Sequence, residues 1–364
     1  MNHRKTNLFR IAFLITLLQT QLAKSQSPQF QTFIEEYLTS FPNNTEIAIG
    51  IIDGPTTYKM GYRLENGKLI SVRNESTLFE IGSITKVFTS ALLMKEVIRK
   101  TIALDDPIQK HLAFTIKRDT YQNQPLTILH LITHTSGLKK NPLMGYKRYS
   151  RYLKGVELTY VPGKKWEYNN LTVALVGKLA AEKNKTSWDV SLKENILKPL
   201  NMNNTYTNLG EAPKVNRVQC VNKRGVKGDC HFHRIGSFHW PNGGIISNID
   251  DMLKWLKTNL ENESLNPDLD FVHSAHNPLS DSISIPWFSK YKATQGIGWW
   301  HYRTDLNSRI ICHGGNMPVQ TSFIAFDKMK NRGIVVLTNV SGRALMNDEK
   351  IMKTTDLAIR VLGL

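Results

Sequence analysis

A serine placed three residues ahead of a lysine can do chemistry if the pair opens a helix. Ser83 and Lys86 have that spacing in Phe79-Glu80-Ile81-Gly82-Ser83-Ile84-Thr85-Lys86. Ile84, Val87, Phe88, Ala91, Leu92 and Ile98 then recur at helical period and predict an amphipathic helix from Ser83. Two side chains three apart are neighbours on one helix face. A hydroxyl becomes a strong nucleophile when a base takes its proton, and a neutral lysine amine is such a base. Burial lowers a lysine pKa, and so does the positive end of a helix. The same helix start offers N–H groups to a developing oxyanion. The expected chemistry is acyl transfer through a serine ester. Spacing alone discriminates poorly, because Ser136–Lys139 and Ser289–Lys292 share it. Only Ser83 is followed by a long helical run.

Two further segments carry polar groups suited to the same reaction. Tyr168-Asn169-Asn170 stands just before a predicted helix. A tyrosine beside a lysine ammonium can stay ionised below its usual pKa and relay a proton. Asn170 can hold a substrate amide through its side chain. Tyr121–Asn123 and Tyr206–Asn208 repeat the spacing in polar loop or turn surroundings. His313-Gly314-Gly315-Asn316 ends one predicted strand and precedes another. Glycines there let a backbone approach a ligand closely. The Asn316 N–H is the expected second oxyanion donor. His313 is expected to offer positive charge to a substrate carboxylate while protonated; the competing reading is a neutral hydrogen-bonding histidine.

These segments must be positioned by an ordered scaffold. Helices are predicted over Ser27–Thr39, Leu126–His134 (capped by Thr127), Leu171–Glu182, Trp188–Leu197, Ile249–Leu260 and Met346–Leu362. Strands are predicted over Glu46–Asp53, Thr57–Tyr62, Gln295–Trp300, Arg309–His313, Gln320–Asp327 and Gly333–Asn339. Pro241-Asn242-Gly243-Gly244 reads as a tight turn. Residues 139–165 read as basic and irregular, and 262–290 as a polar loop. Strands at both ends with helices between predict an α/β fold: an antiparallel sheet flanked by helices and built from both chain ends, with an inserted, mostly helical domain. The expected α/β part covers about 26–90 and 291–364, and the helical part about 91–290.

Composition is that of a globular chain, with 364 residues, 41% hydrophobic and 21% charged. Arg4, Lys5 and Arg10 precede the apolar run Ile11–Leu18, and Ala23-Lys24-Ser25 is a small-x-small cleavage pattern. Residues 1–25 therefore read as a signal peptide, leaving a mature chain of 26–364 that is exported, periplasmic or secreted. The apolar run is too short to span a bilayer, and the mature sequence has no other candidate. The formal charge is +17, and most of it stays on the mature chain. A basic surface suits anionic partners. No nucleic-acid module is visible, and none is expected to bind. Cys220 and Cys230 bracket a Gly- and Lys-rich loop and are expected to form a disulfide on export. Cys312 reads as a buried thiol. His231 and His233 alternate near Cys230 without enough partners for a metal, so no metal and no cofactor are expected. A monomer is expected.

The ordered set Ser83-x-x-Lys86, Tyr168-x-Asn170 and His313-x-Gly315 resembles the serine β-lactamase and penicillin-binding-protein superfamily. It looks most like the class C branch with its related D-Ala-D-Ala carboxypeptidases and esterases. Further segments share the resemblance: Leu126-Thr-Ile-Leu-His-Leu-Ile-Thr-His-Thr-Ser-Gly-Leu138, the stretch from Pro162-Gly163 to Asn170, Asn242-Gly-Gly-Ile-Ile-Ser247 and Gln295-Gly-Ile-Gly-Trp299. It runs from about residue 46 to the end. It implies a β-lactamase/transpeptidase-like sandwich with the site in the cleft between its parts. It implies Ser83 as acylated nucleophile, Lys86 and Tyr168 as proton relay, and Asn170 as substrate clamp. The implied substrate is a peptidoglycan-type D-Ala-D-Ala peptide, a β-lactam or an ester. The chain departs from class C enzymes by carrying His313-Gly314-Gly315 where those have Lys-Thr-Gly. That feature looks more like certain carboxypeptidases and esterases.

Overall fold

The computed structural model describes residues 28–363 apart from 40, 141–143, 223, 229, 231–235, 262–265, 278–282, 286–292, 304–308 and 341–353. The expected signal peptide, His231, His233 and Ser289–Lys292 lie outside the described residues, as do parts of 262–290 and the start of the closing helix.

Eight strands make one antiparallel sheet. They are β1 (Glu46–Asp53), β2 (Thr56–Glu65), β3 (Lys68–Ser71), β4 (Ala293–Gln295), β5 (Trp300–Arg303), β6 (Arg309–Asn316), β7 (Thr321–Asp327) and β8 (Arg332–Thr338). Their order across the sheet is β4-β5-β6-β7-β8-β1-β2-β3. β1 pairs with β8, so the two ends of the chain meet at the sheet centre. Side chains of a strand alternate between faces. In β1, Ile47, Ile49 and Ile51 join one core with α1 (Pro28–Leu38) and the closing helix. Ala48 and Ile52 join the other, which contains the remaining helices. β8 repeats the rule, with Ile334 and Val336 on the first side and Val335 and Leu337 on the second. Both faces are apolar, so the sheet needs a layer of helices on each.

On the second face α2 (Thr85–Ile98) packs with α3 (Asn170–Glu182) and stacks Phe88 on Trp255 of α4 (Ile249–Leu260), the helix that lies against β1, β7 and β8, while α5 (Thr354–Gly363) packs beside α1 on the first. Helix starts follow cap chemistry. Asn169 accepts from the Leu171 N–H, Asn248 accepts from the Asp251 N–H, and Thr127 with His130 forms a capping box.

Some elements differ from the sequence reading. The helix expected over Leu126–His134 is short, Ile128–Ile132. His134 has φ +59, a left-handed conformation that a helix cannot continue through. Gln295–Trp300 is the corner between β4 and β5 and not one strand, and Gly298 turns it with φ +73. The basic stretch 139–165 contains a helix, Tyr146–Lys154, that buries Tyr149 and Leu153. Trp188–Leu197 is helical only to Leu192 and then widens into a π turn.

Candidate active site

Ser83 lies in the 3-10 turn Gly82–Ile84, which runs directly into α2 at Thr85. This turn is held from both sides. The short strand Phe79–Glu80 pairs with Ile246–Ser247, and the Ile81 N–H donates to the Ile245 carbonyl. On the other side the Glu80 N–H donates to Gln320 Oε1 at 2.8 Å, and Ser322 Oγ donates to the Ile81 carbonyl at 2.8 Å. The nucleophile candidate is therefore tied to the loop and strand that follow β6.

Lys86 is the second residue of α2, one turn after Ser83, with Nζ 2.9 Å from Ser83 Oγ. Its side chain is 1% exposed, and Nζ donates to the Asn242 carbonyl at 2.5 Å. Burial pushes its pKa well below the ordinary lysine value. Removing an ammonium from water costs free energy that the neutral amine avoids. The Tyr168 hydroxyl donates to the same Ser83 Oγ at 2.8 Å, and Nζ stands 5.0 Å from the Tyr168 ring centre. The sequence allows an ionised Tyr168 beside a lysine ammonium. Burial instead raises its pKa, against a smaller lowering by the Ser83 hydrogen bond. Burial also drives Lys86 toward its neutral form, which weakens any hold of an ammonium on a phenolate. Burial thus favours the neutral amine and the neutral phenol on either side of the serine hydroxyl.

Asn170 is the first residue of α3, and its Oδ1 is buried without a hydrogen-bond partner among the described residues. An unpaired buried carbonyl is costly, so this atom is available to a ligand donor. β6 brings its far end to the same corner. A Cβ on Gly315 would lie 2.0 Å from the Ile81 carbonyl, so only glycine lets the strand lie against the nucleophile turn. A Cβ on Gly82 would lie 3.1 Å from the Asn316 N, which places that N–H beside the Ser83 turn. His313 is 1% exposed, stacks on Trp300 at 4.1 Å and donates from Nδ1 to the Gly314 carbonyl at 2.8 Å. Burial is the main cause that pushes its pKa down to about 3, and whenever Lys86 is protonated its charge pushes the same way. The expectation of a charged His313 is therefore corrected to a neutral ring. Gly314 continues β6 opposite Phe323.

The structure brings Ser83, Lys86, Tyr168, Asn170 and the His313–Asn316 strand end to one corner. Sequence reasoning missed the residues behind them. Asn242 acts through a backbone carbonyl, supplied by the short helix Trp240–Gly243 that also receives Thr89 Oγ1 at the Pro241 carbonyl. His134 lies against Tyr168 with ring centres 4.3 Å apart and planes tilted by 42°. A cavity of about 570 Å³ beyond the Gly243–Gly244 wall, lined in part by Glu80, Lys214 and Trp240, does not include Ser83 or Lys86.

The Beta-lactamase family model matches residues 48–357, most of the chain. The chain belongs to this family. It is 26% identical over 337 residues to Protein flp of Staphylococcus aureus strain N315, covering 88% of this chain and 65% of that relative's length. It is 25% identical over 303 residues to a beta-lactamase of Escherichia coli K12, covering 73% and 76%. The fold is similar to a solved beta-lactamase/D-alanine carboxypeptidase from Pseudomonas syringae, with TM-score 0.73, 20% identity and coverage of 92% and 98%. It is also similar to a class C beta-lactamase mutant, with TM-score 0.74, 18% identity and coverage of 94% and 99%. Outside the site, Cys220 and Cys230 form the expected disulfide and Cys312 is a buried free thiol. No described helix is long and apolar enough to cross a membrane.

Proposed function

We propose that this protein is an exported serine acyl hydrolase that works through an ester on Ser83. The carrying observation is the convergence of Lys86 Nζ and the Tyr168 hydroxyl on Ser83 Oγ, at 2.9 and 2.8 Å. In this reading neutral Lys86 takes the Ser83 proton as Oγ bonds to the substrate carbonyl carbon. N–H groups at the Ser83 turn and at Asn316 receive the oxyanion. When the bond to the leaving amine or alkoxide breaks, Tyr168 passes it a proton and is reprotonated from Lys86. Water then attacks the ester under the same relay, releasing the acid and restoring Ser83. Asn170 Oδ1 holds a donor of the substrate. The substrates proposed are D-Ala-D-Ala-type peptides and β-lactams, in keeping with the family.

One observation favours a carboxylesterase as the second reading. A neutral His313 brings no positive charge for a substrate carboxylate, which neutral esters do not need. The basic, apolar N-terminal pattern and the Cys220–Cys230 bridge support export.

The test is labelling with a fluorescent penicillin and with a fluorophosphonate, mapped by mass spectrometry and followed by burst kinetics. The expected result is one adduct on Ser83, with turnover of at least one peptide, β-lactam or ester. An adduct elsewhere overturns the Ser83 assignment. A full burst with no turnover of any of the three marks a penicillin-binding sensor and overturns the hydrolase.

A further inference from the structure

We propose that His134 is a positioning residue for Tyr168, clamping the Glu167–Asn169 segment so that the phenol points at Ser83. This rests on the reading of Tyr168 as part of the proton relay. Four contacts carry it. The His134 carbonyl accepts from the Glu167 N–H at 2.7 Å. Its Nδ1 accepts from the Asn169 N–H at 3.2 Å. Tyr168 is thus bracketed by hydrogen bonds on both neighbours to one residue. The His134 ring also lies against the Tyr168 ring at 4.3 Å, and against the edge of Trp166 at 6.0 Å. Trp166 is itself fixed, since its Nε1 donates to Gln295 Oε1 at 2.9 Å.

The backbone pays for this geometry with φ +59 at a non-glycine residue, and such conformations persist where surroundings over-determine them. That twist lets carbonyl and ring meet the same segment. The side chain is 2% exposed. An acceptor role at Nδ1 requires the proton on Nε2, and the ring must stay neutral. Burial pushes its pKa well below the ordinary value, and any proton on Lys86 or His313, which face it, pushes the same way. The clamp also reaches α3, because Asn169 caps that helix at the Leu171 N–H and so fixes where Asn170 starts.

A displacement of about 1 Å at a catalytic group can cost about 10²-fold in rate. Two variants separate ring from acceptor. His134→Phe keeps a ring face and removes the Nδ1 acceptor. His134→Asn keeps an acceptor and tolerates a left-handed backbone, but removes the ring. Each is made alone and with Tyr168→Phe, and the rate of acylation by a fluorescent penicillin is measured beside its non-covalent binding constant. The expected result is a roughly 10- to 100-fold slower acylation with binding changed less than about threefold, and an added loss below about threefold in the Tyr168→Phe background. Equal losses in both backgrounds, or unchanged acylation, overturn the proposal. A second readout does not depend on activity: a 3-fluorotyrosine at position 168 is expected to shift or broaden its ¹⁹F resonance in His134→Asn. An unmoved resonance overturns the clamp even if Ser83 proves to be the nucleophile. A moved resonance in a protein that never acylates upholds the clamp and rejects the acyl-enzyme reading.

Discussion

Ser83–Lys86 and Ser136–Lys139 are the same spacing in two places, and they have opposite outcomes. Ser83 is half-buried on a turn that runs into the fourteen-residue α2, so Lys86 returns over it one turn later. Ser136 is 2% exposed and precedes Gly137, whose φ is +71. Its Oγ accepts from the Leu138 N–H at 3.2 Å, and Lys139 is carried out to solvent. A right-handed helix stacks residues three apart, whereas a left-handed turn sends them to different sides. The second difference is burial. Lys86 is enclosed and driven toward the free amine, which a base requires, and exposed Lys139 has no such enclosure.

The largest expected effect tests that contrast directly. Ser83→Ala should abolish labelling by penicillin and fluorophosphonate, while Ser136→Ala should leave the adduct in place. Labelling retained in Ser83→Ala would mean that the helix-start argument chose the wrong serine.

Lys86→Ala and Tyr168→Phe come next. Each should slow acylation by about 10²–10⁴-fold, the usual worth of a general base, with binding little changed. The double variant should be scarcely worse than the poorer single, because one relay is lost once. The pH dependence follows from the direction of the Lys86 shift. Its neutral form is the active one, so the acylation rate should rise with pH through a pKa well below the lysine reference and be flat above it. A limb centred near about 10.4, the reference value, would show that burial does not activate Lys86. His313, held down at about 3, should add no limb between pH 5 and 8.

Gly315→Ala sharpens the comparison from the strand side. The added methyl would meet the Ile81 carbonyl and Ser322 Oγ at 2.0 and 2.2 Å. A stability loss of about 1–3 kcal/mol is expected from such overpacking. Denaturant unfolding gives the loss, and slower acylation of the folded fraction would show that the Ser83 turn has moved. Unchanged stability would mean that β6 does not press on the turn.

The smallest effect on activity is expected at the disulfide. Replacing Cys220 and Cys230 by serine should leave labelling within about twofold. Stability should fall by about 2–4 kcal/mol, as for a short closed loop. A large loss of labelling would link that loop to the site.

Much of this protein is legible in its sequence because the signals are local. β1 and α4 occur over the residues that alternation and helical period select, and Thr127 caps its helix as a threonine in that position should. Ser83 and Lys86 meet because one turn of helix suffices. Tyr168, Asn170 and the His313–Asn316 strand end were recognisable by residue type and motif order. What joins them was not: the β6 end reaches the Ser83 turn through contacts with Ile81 and Ser322, far apart in the chain. The Asn242 carbonyl and the His134 ring carry no motif letter for their roles, since a carbonyl is common to every residue and a ring position depends on its neighbours. Protonation states belong to the same class. A charge on His313 was expected and one on Tyr168 was allowed, and burial pushes both toward the neutral form because the whole surrounding core removes water from them. Desolvation is a sum over every packed element around a group, so only the folded chain could decide it.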